Sequence, residues 1–318
     1  MNYAKLSEVM SGWNEKTIAT IKAVVEAGES IRTLPRTFEV KEGEGHRSGI
    51  TRSDALSQEI LLQHLEKFEG ARFLCEEDTS HPHAFQNTDP AGILETDLCF
   101  VLDSLDSTAR YGSELDSWCV GLGVIERGEV TGSAVFAPAT NNGFLVASEI
   151  GRGVLTADWD GEIVRLTRSH SATPPNKSVV FLGVDTLLYR NVTAIVPEIA
   201  TNVRAVFTSG SGILGLARVA ARRAQAIIQT PQKAWDWVAA YRAALETGNT
   251  ILFFRLVNGN LLPVEAYDSE AFKTLKQNNQ NRLGFVAGEP ALATKLFRLL
   301  PKTGWERTIP DTVSGAWQ

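Results

Sequence analysis

Along the first part of the chain the apolar positions follow a helical period. Leu6, Val9, Met10, Trp13, Ile18, Ile21, Val24, Val25 and Ile31 fall on one face, so the chain is expected to open with a long amphipathic helix. Residues 35–52 are polar and glycine-containing, which reads as a loop or a loose hairpin. A second helix is expected over 55–68, with Ile60, Leu61, Leu65 and Phe68 on its apolar face. Residues 78–92 read as another polar loop. The period then changes. Leu98 to Leu102 is a continuous apolar run of strand length, and Val120 to Ile125 and Val130 to Phe136 flank Glu126-Arg-Gly-Glu129 as a hairpin. Phe144 to Ala147 and Ile163 to Leu166 continue the strands. From about residue 178 strands and helices alternate. Strands are expected at 179–182, 203–208, 226–229, 251–256 and 283–286, and helices over 211–223, 233–247 and 290–300. This predicts an α/β protein with two packed subdomains, an α+β one over 1–150 and an α/β one over 151–318.

Composition narrows the class. A chain of 318 residues with 43% hydrophobic and 21% charged residues fits a soluble globular protein of one large or two smaller domains. Its net charge of -6 argues against a nucleic-acid partner, which usually needs a basic face. An acidic protein that binds an anion needs local positive charge, which metal ions can supply. The three cysteines, Cys75, Cys99 and Cys119, are too few and scattered for a disulfide framework, and Cys99 reads as a buried thiol. No apolar run is long enough to span a membrane, and the N-terminus lacks a signal-peptide core, so a cytoplasmic protein is expected.

Five segments bear groups with chemistry, and each has an ordinary reading beside the functional one. Thr51-Arg-Ser-Asp54 is a helix capping box. Glu76-Glu77-Asp78 is a solvated acidic strand end. Asp103-Ser-Leu-Asp106-Ser-Thr108 ends the apolar strand in two carboxylates and two hydroxyls. It is either a turn or a loop whose acids bridge divalent cations. Trp235-Asp236 opens an apolar helix, where an acid suits the helix dipole. Gly210-Ser-Gly212-Ile-Leu-Gly215 has dinucleotide-fingerprint spacing after a strand. The expected acid at the next strand end is absent, since residues 229–231 are Gln-Thr-Pro, so a tight helix entry competes with a nicotinamide site. His81-Pro-His83 reads as loop, and His46, His64 and His170 have no triad-like setting.

In order and spacing these segments resemble the inositol monophosphatase superfamily, Mg²⁺-dependent and Li⁺-sensitive phosphatases that include fructose-1,6-bisphosphatase and the bisphosphate nucleotidases. The family pattern runs V-T-x-A-D, G-E-E, D-P-(I/L)-D-G-T, W-D-x-A-A. Here it reads Ile50-Thr51-Arg-Ser-Asp54, Cys75-Glu76-Glu77, Asp103-Ser-Leu-Asp106-Ser-Thr108 and Trp235-Asp236-Trp-Val-Ala239-Ala240. Ser209-Gly210-Ser211 and Phe285-Val-Ala-Gly288 also resemble family segments.

The resemblance implies a layered α/β/α/β/α sandwich and hydrolysis of a small phosphate monoester by metal-activated water. The substrate would be an inositol or sugar phosphate, a 3'-phosphonucleotide or an amino-alcohol phosphate such as histidinol phosphate. By the same resemblance Glu76, Asp103, the Leu105 carbonyl, Asp106 and Asp236 would hold two or three Mg²⁺. Thr108 paired with Asp54 would activate water, and Ser107, Thr108, Ser211, Gln229 and Asp236 would contact substrate. A homodimer is a further carry-over. Departures from the pattern are Cys75 and Ser107 for Gly, Ser104 for Pro, Tyr241 for Gly, and Gln229 for the acid that meets substrate hydroxyls in inositol phosphatases. They mark a divergent member. Two other classes remain open, a non-catalytic phosphate-binding protein and an oxidoreductase using Gly210 to Gly215. The tail at 301–318, with Trp305 and Trp317, extends past the family's usual end.

Overall fold

The long N-terminal helix begins later than its apolar face. Helix α1 (Glu15–Arg32) starts at Asn14, whose side chain accepts the Lys16 N–H at 2.9 Å, with Glu15 in the first turn. Gly12, at φ 80°, turns the chain just before it. Leu6, Met10 and Trp13 are buried all the same; Leu6, Glu8 and Val9 are helical and residues 10–12 form a turn, so the single long helix expected from periodicity is divided here. The structure, a computed structural model, describes residues 6–306 except 7, 37–38, 41–48, 78–79, 86–92, 94–95, 141–142, 159–161, 169–171 and 265–281. The expectations for His46, His170 and Trp317, and most of the loop at 78–92, therefore lie outside the described residues.

The remaining elements follow in chain order. Strands β1 (Glu39–Val40) and β2 (Gly49–Ile50) pair as an antiparallel hairpin, then comes α2 (Arg52–Leu65). Strands β3 (Arg72–Cys75), β4 (Ala84–Phe85) and β5 (Leu98–Asp106) precede a one-turn helix α3 (Thr108–Gly112). A meander follows of β6 (Cys119–Glu126), β7 (Glu129–Ala137), β8 (Phe144–Glu149), β9 (Gly153–Asp158) and β10 (Val164–Leu166). Beyond it lie β11 (Val179–Leu182), the short helices α4 (Arg190–Thr193) and α5 (Val196–Asn202), β12 (Ala205–Thr208), α6 (Gly212–Ala220) and β13 (Ala226–Gln232). Helix α7 (Trp235–Glu246), strands β14 (Thr250–Val257), β15 (Asn260–Val264) and β16 (Leu283–Gly288), and helix α8 (Pro290–Leu299) end the fold. Strands β4, β9 and β15 were not expected from the pattern.

The strands form two large sheets, β10-β9-β8-β7-β6-β5-β3-β4 and β12-β11-β13-β16-β14-β15. The subdomain boundary expected at residue 150 falls in the turn between β8 and β9, whereas the sheets change over between Leu166 and Val179. Side-chain alternation explains the layering. On β5, Leu98, Phe100 and Leu102 enter the core shared with α1 and α2, while Cys99 and Val101 enter the core shared with α6 and α7. On the second sheet, Ile227 and Phe285 face α6 and α7, and Ile228 and Val286 face α8. The order is therefore helices, sheet, helices, sheet, helices, which is the α/β/α/β/α sandwich expected.

The middle helix layer sits very close to the first sheet. A Cβ on Gly123 of β6 would fall 2.5 Å from Val238 Cγ1, and one on Gly121 2.9 Å from Ala239 Cβ. These glycines let α7 lie against β6, the neighbour of β5, and so fix its first turn beside the end of β5. Tyr241, where the family has Gly, fits as a buried ring 5.7 Å from Trp237 and 5.9 Å from Phe253. The described start of the tail, residues 301–306, docks on the body through Trp305, whose ring stands 5.3 Å from Tyr189 and 5.4 Å from Phe254. Cys75, Cys99 and Cys119 are buried and free. Among the described residues no helix is long and apolar enough to cross a membrane.

Candidate active site

Asp103 and Asp106 are three residues apart, so in a regular strand they would face opposite sides of the sheet. They do not, because β5 is bulged there. Asp103 pairs with Gly121 and Asp106 with Cys119, three steps along β5 against two along β6. The extra residue turns both carboxylates toward the α6/α7 layer and leaves Leu105 in the opposite core. The acidic loop expected after Leu102 is thus the continuation of the strand itself, buried along all nine residues.

Each neighbouring element brings one more group. Strand β3 runs parallel to β5, and Glu76 follows it, its N–H donating to the Leu102 carbonyl at 3.3 Å. Asp236 lies in the first turn of α7 and accepts the Lys233 N–H at 2.8 Å. Asp106 Oδ2 accepts the Ser211 hydroxyl at 2.5 Å and the Ile213 N–H at 2.9 Å, both at the N-terminus of α6. Ser211 also accepts the Leu214 N–H at 2.8 Å, so its hydroxyl is committed beneath Asp106 rather than presented to a substrate. Asp103 Oδ1 accepts the Leu105 N–H at 3.1 Å, while its Oδ2 is buried without a partner.

Glu76, Asp103, Asp106 and Asp236 line one cavity of about 230 Å³, together with Leu105. Ser107, Thr108 and Gln229 line it as well. Burial pushes Asp103 well above the usual carboxylate range, and the charges of Glu76, Asp106 and Asp236 push it further. Asp106 is raised to about 7, mainly by burial, with the Ser211 and Ile213 bonds pulling the other way. Asp236 is also raised to about 7, by burial and then by the Asp106 charge.

This donor set fits a hard divalent cation, being all oxygen, crowded with negative charge and holding one orphaned carboxylate oxygen. Among the described residues no three His, Cys, Asp or Glu side chains already surround one point closely enough to hold an ion. The carboxylates would have to draw in around it.

Behind this cluster lies a second constellation. Thr51 and Asp54 form a complete capping box on α2, with Asp54 Oδ2 accepting the Thr51 N–H and hydroxyl, both at 2.6 Å. The other oxygen, Oδ1, accepts the Thr108 hydroxyl at 3.1 Å. Both readings of this segment hold at once. Thr108 also has the Leu105 carbonyl within 3.1 Å.

Ser107 occupies the family's glycine position in a glycine's conformation, at φ 76° and ψ 50°. Its hydroxyl donates to the Gly210 carbonyl at 2.9 Å, which offsets the strain. Ser107→Ala keeps the strained backbone and loses the bond, so it should cost about 1 kcal/mol in urea unfolding. Ser107→Gly loses the same bond but relieves about 1 kcal/mol of strain, so it should leave stability nearly unchanged. Equal losses for the two would contradict this account.

The glycines at 210–215 serve packing. A Cβ on Gly212 would come 2.9 Å from the Asp236 carbonyl, and one on Gly215 2.5 Å from Ile227 Cδ1. The Ile213 N–H, which a dinucleotide pyrophosphate would need, is taken by Asp106. The nicotinamide reading therefore loses its binding groups. His81 stands 3.4 Å from Glu66 and edge-on to Phe73, as an ordinary loop residue.

Two polar lining residues escaped the sequence reading. Asp185 follows β11 in a short 3-10 helix (Val184–Leu188), and Gln232 ends β13. Strands β11 and β13 are parallel, and ligands gather at the carboxyl ends of such strands. An acid three residues past a predicted parallel strand was the available signal.

The family model for the "Inositol monophosphatase family" matches residues 13–277. The Nus factor SuhB of Xylella fastidiosa is 29% identical over 167 residues, covering 50% of this chain and 56% of that protein, so the match spans little more than half of that relative. A Thermotoga maritima protein, fructose-1,6-bisphosphatase/inositol-1-monophosphatase, is 24% identical over 221 residues, covering 69% of this chain and 77% of its own. Among solved structures, the Thermotoga maritima IMPase superposes with a TM-score of 0.67 at 20% identity, covering 90% of this chain and 97% of the other.

Proposed function

Because the chain belongs to the inositol monophosphatase family, we propose that it is a Mg²⁺-dependent phosphatase that hydrolyses a small-molecule phosphate monoester. The observation that carries this reading is the convergence of Glu76, Asp103, Asp106 and Asp236 on one cavity, with Asp103 Oδ2 buried and unpaired. Buried Asp103 and Asp106 and half-buried Asp236, all with raised affinities for protons, are costly beside the half-buried Glu76 unless a cation is their purpose.

In this reading the four carboxylates and the Leu105 carbonyl hold two or three Mg²⁺. When bound, the ions neutralise the transferring phosphoryl group and acidify water. Thr108 has one hydroxyl proton and two acceptors, Asp54 and Leu105. With that proton directed to Asp54, a lone pair on Thr108 Oγ1 accepts a hydrogen bond from the attacking water and aligns it. Asp54 takes the Thr108 hydroxyl proton as Thr108 takes one from the water, the water oxygen bonds to phosphorus, and the ester oxygen leaves as an alkoxide that takes up a proton from solvent. The N–H groups of Ser107 and Thr108 cradle the phosphate. Ser211 and Ile213 hold Asp106 in its rotamer, and Gln229 meets the leaving alcohol.

The test is phosphate release from small monoesters with Mg²⁺ and with a chelator. Release should require Mg²⁺. Thr108→Val should lower kcat by about 100-fold or more, the usual contribution of a positioned proton-transfer group, with KM little changed. No Mg²⁺-dependent release from any ester would leave the non-catalytic binding protein as the better account.

A further inference from the structure

Beyond the carboxylate cluster, the cavity is lined by Gln229, Gln232 and Asp185, and their chemistry restricts the alcohol that a phosphate can bring with it. Asp185 is half-buried. Gln232 Nε2 donates to its Oδ2 across a long 3.4 Å, and among the described residues no other hydrogen bond reaches this carboxylate. Gln229 is 4% exposed, packs against Gly183 and Gly212, and leaves its Oε1 buried without a partner. Both residues line the same cavity, and the Asp185 carboxylate brings it acceptor oxygens with unused capacity.

What the lining lacks is equally informative. No Lys, Arg, His or aromatic side chain lines this cavity among the described residues. Arg110 packs its guanidinium against Gly210 without lining the cavity, Lys233 lies 5.7 Å over the Trp235 ring, and Arg282 is exposed and reaches Asp236 only as a distant charge. A second phosphate or a carboxylate on the substrate would need a cation to meet it. A nucleobase would need an aromatic face to stack on, which this lining does not offer among the described residues.

We propose that Asp185, supported by Gln229, selects the leaving group of the phosphatase reaction: a small, singly phosphorylated alcohol whose carbon frame carries hydrogen-bond donors, hydroxyl or ammonium. The inference rests on the phosphatase reading above. Asp185 restores, from β11, the acid that Gln229 replaced on β13. It binds the alcohol and takes no part in breaking the P–O bond.

The experiment compares kcat/KM of the wild type and of Asp185→Asn, with Mg²⁺, on five esters. These are a polyol monophosphate, an amino-alcohol phosphate, a sugar bisphosphate, a 3'-phosphonucleotide and the donor-free p-nitrophenyl phosphate. The wild type should prefer one of the first two. Asp185→Asn should lose about tenfold more on that ester than on p-nitrophenyl phosphate, the size of one hydrogen bond to a charged group, and the loss should fall on KM. A larger loss on the amino-alcohol arm identifies the donor as ammonium, and on the polyol arm as hydroxyl. Equal losses on all esters, or a wild-type preference for the bisphosphate or the nucleotide, would overturn the proposal. Turnover of p-nitrophenyl phosphate separates the two levels: if it proceeds, a failed Asp185 test leaves the phosphatase reading standing, and if no ester is cleaved the phosphatase reading itself has failed.

Discussion

Asp103→Asn should abolish phosphate release and at the same time make the metal-free protein more stable at pH 8. The two effects have one cause. Asp103 is fully buried, has an orphaned Oδ2 and feels the charges of Glu76, Asp106 and Asp236. Asn keeps the shape and can still accept the Leu105 N–H at Oδ1, so the bulge of β5 should persist. What disappears is a carboxyl whose charged form is costly to bury among other acids, and its removal should stabilise the metal-free fold by about 1–4 kcal/mol. The same charge is the shared ligand of the proposed ions. Without it kcat/KM should fall by a factor on the order of 10³ or more, the scale of losing electrostatic stabilisation of a transition state. Urea unfolding in chelator and phosphate release in Mg²⁺ measure the two halves. If the variant is less stable without metal than the wild type, the crowding argument is wrong.

The second large effect is a reversal of pH dependence by Mg²⁺. Asp106 and Asp236 are raised from 3.8 to about 7 in the folded protein. The folded state therefore holds protons that the unfolded state has already released. The stability this contributes is complete below about pH 4 and is lost as the pH rises through 7, at about 4 kcal/mol for a shift of this size in one group. Without divalent cations the Tm should fall between pH 5 and 8, by on the order of 10 °C. Mg²⁺ competes with those protons, so its affinity rises across the same window. At a hundred times its Kd it would restore about 3 kcal/mol. Calorimetry at pH 5, 6, 7 and 8 in chelator and in Mg²⁺ should give curves that diverge as the pH rises. Parallel curves would show that these acids are not the ion's ligands. In Asp236→Asn the metal-free curve should be flatter.

Most of the layered fold was legible because burial writes itself into sequence period. Leu98 to Leu102 alternates between two cores, and a strand apolar on both faces announces a sheet between helix layers. What period cannot show is a change of register. The bulge that brings Asp106 beside Asp103 leaves no mark on composition, so these residues read as a loop. The break before Glu15 was hidden because Trp13 and Met10 continue the apolar spacing into the same core without continuing the helix. Strand β4 is two residues long and β15 contains Pro263, so neither offers a pattern to detect. At the site, Asp103, Asp106 and Asp236 were visible as acids at element ends. Asp185 was not, because a single acid after a strand resembles any solvated turn until the parallel sheet places it over the cavity.

The capping box of α2 has a consequence for how loss of function would leave its trace. Asp54 closes the helix start through Thr51 and steadies Thr108 with its other oxygen. A descendant that abandoned catalysis would still keep Asp54, because its helix would fray without it. Asp54 is therefore a weak witness to activity. Asp103, Asp106 and Asp236 work against folding unless an ion occupies them, so drift would erase them first. Their survival together is the stronger sign of a working site, and a chain of this fold that retained only Thr51 and Asp54 would be a scaffold whose chemistry had lapsed.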